Sequence, residues 1–139
     1  MGILYIKLNQ LDERMGKLHS RIHISQKAGH SQLRREMETL QKECEETQAA
    51  LRENLQQSKS SMVSVLAQGY GQVEQIVQQS RKRLQDMAQD SPDAEAVVEE
   101  KILLAEYALD FAQQAADRAL LLSMDAMDAQ LLQQEGRSV

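Results

Sequence analysis

The chain has 139 residues, a net charge of -5 from 16 basic and 21 acidic side chains, and only four aromatic groups, three Tyr and one Phe. With 19 Gln and a single Pro, this composition excludes a β-sandwich or a doubly wound sheet and points to helices laid side by side. Cys44 is the only cysteine, which excludes an intrachain disulfide and a disulfide-framed secreted module, so a cytoplasmic location is expected.

The charge is unevenly spread. Residues 1–35 carry seven basic side chains against Asp12 and Glu13, a balance of +5, while residues 90–139 carry three basic against eleven acidic, a balance of -8. The two ends are complementary, and pairing of the chain with itself, within one molecule or between subunits, is the expected outcome. The other outcome is a basic end that meets an acidic partner. Five residues separate Met1 from Lys7, fewer than the apolar core of a signal peptide, and no run approaches the ~20 apolar residues that span a bilayer. Ile6 stands where a myristoylation signal has Ser or Thr.

In chain order, Leu4, Leu8, Leu11, Met15, Leu18 and Ile22 alternate spacings of four and three, the a/d stripe of a coiled coil, and predict a helix over about residues 3–27. The stretch SQKAGHSQ that follows holds Lys27, then Gly29 in a helix-stopping place and Ser31 as a candidate N-cap. A second stripe, Leu33, Met37, Leu40, Cys44, Thr47 and Leu51, and a third, Met62, Leu66, Gly69, Val73, Ile76 and Ser80, each begin 29 residues after the one before. That period is about 3.63 residues per turn, close to a straight helix. No Gly or Pro interrupts QQSKSSM, so one long helix over about 31–89 is expected, with Gly69 marking a close helix approach. The alternative is a break near residues 58–61.

Ser91 as cap, Pro92 in the first turn and Asp93 and Glu95 near the positive dipole end predict a last helix over about 92–134, ended by Gly136 before a short tail 135–139. On this helix Val98, Ile102, Ala105, Leu109, Ala112, Ala116, Leu120, Met127 and Leu131 form one apolar side. Leu104, Ala108, Phe111, Ala115, Ala119 and Leu122 widen it, so the helix is expected to sit centrally, covered from more than one direction.

No constellation supports catalysis or a cofactor. His19 and His23 share one helix face but lie outside the a/d stripe and lack the further Cys or carboxylate of a metal site, so they read as surface residues. His30 lies at the turn. Cys44, flanked by Glu43, Glu45 and Glu46, reads as a small buried hydrophobe rather than a nucleophile. The run Arg81, Lys82, Arg83 has no aromatic interleaving and reads as a solvated face, without nucleic acid as partner.

The fold expected is all-α: a single helical domain over 1–139, built as an elongated antiparallel helical hairpin or coiled-coil bundle of three helices, with a four-helix bundle as the alternative. The function expected is a non-catalytic scaffold or adaptor that self-associates, as a dimer, and binds a further protein. Its interaction residues are Leu4, Leu8, Leu11, Met15, Leu18, Ile22, Leu104, Phe111 and Leu122. The alternative function is attachment to a membrane surface through the basic amphipathic first helix.

Overall fold

The computed structural model of the chain describes residues 2–90 and 93–137. Among these residues the protein is an all-α helical bundle, 93% helical, with four helices and no strand. They are α1 (Gly2–Lys27), α2 (His30–Gln57), α3 (Ser61–Asp90) and α4 (Ala94–Gln134).

The first turn falls where SQKAGHSQ places it, with a different cap. Gly29 is the N-cap of α2, at φ -74° and ψ 171°, an extended conformation open to any residue. Its carbonyl accepts from the Leu33 N–H at 2.9 Å, the first hydrogen bond of the new helix. Ser31 therefore lies inside the first turn of α2 and does not cap it. Lys27, in the last turn of α1, suits the negative end of that helix dipole.

The long helix expected over 31–89 is two helices, interrupted at residues 58–60. No Gly or Pro makes this break; three serine-rich positions do. The Ser58 N–H turns back to the Leu55 carbonyl at 3.3 Å. Ser58 Oγ accepts from the Ser60 N–H, and Ser60 Oγ accepts from the Val63 N–H, each at 3.3 Å. Short hydroxyl side chains thus satisfy backbone donors that a continuous helix would have paired, which is why serine favours helix ends over helix interiors. Replacing Ser60 with Ala should cost about 1 kcal/mol of stability, read from the urea midpoint.

Ser91 and Pro92, expected to open the last helix, lie outside the described residues. Asp93 is the N-cap of α4, its carboxylate accepting from the Ala96 N–H at 3.2 Å. The other end closes as expected on Gly136, the positive-φ residue at 71°. The Gly136 N–H donates to the Gln133 carbonyl at 3.1 Å and the Arg137 N–H to the Leu132 carbonyl at 2.8 Å. This is the paired bonding of a Schellman motif, which needs the left-handed backbone that glycine adopts freely.

The helices group into two units, residues 7–78 and residues 2–6 with the described part of 79–137. In the first unit no residue is buried. Two antiparallel hairpins are tied by ion pairs across their turns, Arg21 to Glu43 at 2.5 Å between α1 and α2, and Arg52 to Glu74 between α2 and α3. In the second unit Val97 is the buried apolar residue and Ser123 the buried polar one. Ser123 Oγ donates to the Ala119 carbonyl at 2.8 Å, so its burial leaves no polar group unpaired. Ala116, Met127 and Gln130, half-buried, continue the line of Ser123 at helical spacing, and α3 adds half-buried Leu84 and Met87 to the same unit.

Candidate interaction surface

The apolar stripes are largely open to solvent. On α1, Leu4 and Leu8 are half-buried, whereas Leu11, Met15, Leu18 and Ile22 are 37–44% exposed. On α2, Met37, Leu40 and Leu51 are exposed. The third stripe divides: Met62, Leu66, Val73 and Ile76 are exposed, while Leu84 and Met87 are half-buried. A seam of period 3.5 exists in the sequence, but one chain does not close it.

Polar residues beside the stripes hold the hairpins instead. Arg21, Glu36, Glu43, Gln48, Tyr70 and Glu74 are all half-buried. The Arg21 guanidinium holds the Glu43 carboxyl below the usual carboxylate range, and Arg52 does the same to Glu74, against the opposing effect of burial. Burial, and then the Glu74 carboxylate, push the Tyr70 phenol up. Both carboxyls titrate below their ordinary value of 4.5. Their contribution to stability is therefore complete above about pH 4.5 and is lost as pH falls through the lowered folded-state values. The melting temperature should fall on acidification from pH 5 to pH 3, and Glu43→Gln with Glu74→Gln should flatten that dependence.

On α4 the central position expected from its wide apolar surface is not found within one chain. Every residue from 98 to 115 is exposed. Of the interaction residues expected there, Leu104 is 39%, Phe111 69% and Leu122 70% exposed. Ile102, Tyr107 and Leu109 are exposed between them. A helix with apolar groups around most of its circumference is ordinarily covered by neighbours. Here the covered line, Ala116, Ser123, Met127 and Gln130, belongs to the second half of the helix.

Other candidate positions carry no site. His19 and His23 stack edge to face, ring centroids 4.5 Å apart, on an exposed surface. Among the described residues no group of three or more His, Cys, Asp or Glu side chains is placed to hold a metal ion. Cys44, expected as a small buried hydrophobe, is exposed, because the stripe it belongs to is uncovered. Gly69 marks no close approach, since a Cβ added there meets nothing within 4 Å. Arg81, Lys82 and Arg83 are exposed, as a solvated face would be. No helix among the described residues is long and apolar enough to cross a membrane.

The two cross-hairpin ion pairs were not anticipated from the sequence. Arg21 and Glu43 are opposite charges mirrored about the turn at Gly29, a signal that was present once the turn was placed. Arg52 and Glu74 mirror each other about the break at 58–60, which had to be recognised first. Compared with known proteins, the chain matches no family model, no curated protein and no solved structure.

Proposed function

We propose that the protein is a non-catalytic, cytoplasmic helical scaffold or adaptor that works by self-association, as a dimer, and by presenting helical faces to a further protein. The observation that carries this reading is the exposure of residues 98–115 of α4, with Ile102, Leu104, Leu109 and Phe111 open to solvent in a single chain. Soluble monomers rarely expose contiguous apolar patches of this kind, and such patches mark association surfaces. The open stripes of α1 and α3 add to the apolar surface that association would cover. A self-associating helical protein melts at a temperature that rises with its own concentration. A hundredfold range of concentration should therefore move the melting temperature upward by several degrees, and a constant value would contradict the reading.

A second reading has its own observation. Ile3 and Ile6 are exposed at the start of α1, followed by Lys7, a pattern that suits an anionic membrane surface. Co-sedimentation with anionic vesicles that weakens as salt rises is the result this reading requires. Equal recovery in the supernatant with and without vesicles would exclude it.

A further inference from the structure

We propose that α1 of one chain lies parallel against the first half of α4 of a second copy, and that the second copy makes the same pair in return. This pairing presupposes the self-association proposed above and names its faces.

On α1, Leu4, Leu11 and Leu18 at d and Leu8, Met15 and Ile22 at a place Lys7, Arg14 and Arg21 at g. On α4, Val98, Ala105 and Ala112 at d and Ile102, Leu109 and Ala116 at a place Glu99, Glu106 and Gln113 at e. Residues at g of one helix face e of the next heptad in a parallel pair, whereas antiparallel helices match g with g and e with e. In the parallel register that sets Leu11 opposite Val98, Met15 opposite Ile102 and Ile22 opposite Leu109, Lys7 meets Glu99 and Arg14 meets Glu106. Arg21, already engaged with Glu43, meets the neutral Gln113. On the other edge Asp12 faces Ala94 and His19 faces Lys101, so no carboxylate meets a carboxylate. An antiparallel pair would instead bring Asp12 against the glutamates of α4 and the basic g residues of α1 against Lys101.

The required surfaces are open: Leu11, Met15, Leu18 and Ile22 on one side, Val98, Ile102 and Leu109 on the other, with Lys7, Arg14, Glu99 and Glu106 exposed beside them. Short connections reverse the chain at each step of an up-and-down arrangement, which sets the first and fourth helices of one chain antiparallel. A parallel α1–α4 pair therefore joins two chains. The complementary balances of +5 over residues 1–35 and -8 over 90–139 favour encounter in the same sense.

Two full-length variants test the pairing by equilibrium sedimentation at low salt. Lys7→Glu with Arg14→Glu reverses the α1 edge, and Glu99→Lys with Glu106→Lys reverses the α4 edge. All four positions are exposed in one chain, so helical content should be unchanged. Each variant alone should dimerise at least about tenfold more weakly than the wild type. An equimolar mixture should regain wild-type affinity as a heterodimer, because reversed α1 then meets reversed α4 and native α1 meets native α4. For orientation, Leu11→Cys with Val98→Cys in a Cys44→Ser background should form a covalent dimer on mild oxidation, and Leu11→Cys with Leu109→Cys should not. Variants that dimerise as well as the wild type, or a covalent dimer from the Leu109→Cys chain, would overturn the pairing while leaving self-association intact. A wild-type chain that stays monomeric would instead remove the self-association on which the pairing rests.

Discussion

Replacing Gly69 and Gly71 together with alanine should raise the free energy of unfolding by about 2 kcal/mol, since glycine in a helix interior costs about 1 kcal/mol relative to alanine. Both residues lie inside α3, neither has a positive φ, and a Cβ added at either meets nothing within 4 Å. Neither the space nor the backbone therefore uses what glycine provides. For a chain of this size the gain corresponds to a melting temperature higher by roughly 6–10 °C, measured at one fixed protein concentration. Loss of stability in the double variant would mean that a neighbouring helix approaches α3 closely at GYG, as in a packed seam. Gly136→Ala should move the other way, because its φ of 71° is a conformation that alanine adopts at a cost.

Replacing Ile102 and Leu109 with aspartate should abolish self-association without unfolding the chain. Both side chains are exposed in one chain, so the polar replacements meet water there. In a dimer they are buried, and each copy loses two apolar side chains worth about 1.5–3 kcal/mol apiece from the interface and places carboxylates there instead. The dimer dissociation constant should rise by more than about a hundredfold, while far-UV circular dichroism at low concentration stays at the wild-type value. Loss of helicity in the double variant at low concentration would show that these residues stabilise the single chain itself.

Much of the helix content was legible because apolar side chains at spacings of four and three admit few other structures. Gly29 and Gly136 marked two ends correctly, each through backbone chemistry that leaves a local trace. The break at 58–60 was harder to read because it depends on which hydrogen bonds Ser58 and Ser60 make. Serine in a helix interior and serine at a cap look alike until the competing backbone geometry is known. The expected burial of Cys44 and the central position of α4 failed for a different reason. Periodicity identifies a face that calls for cover, but it does not say whether the cover comes from the same chain. The polar grip of Arg21 on Glu43 and of Arg52 on Glu74 lies beside the apolar stripe, where a search for a/d positions does not look.

Equilibrium sedimentation of the unmodified full chain is the most direct test of association through these open faces. Above its dissociation constant the chain should sediment as a dimer of about 31 kDa, twice the 15.7 kDa of one copy, and should shift towards the single-chain mass on dilution. A mass of 15.7 kDa at every concentration, with the melting temperature constant as well, would contradict it.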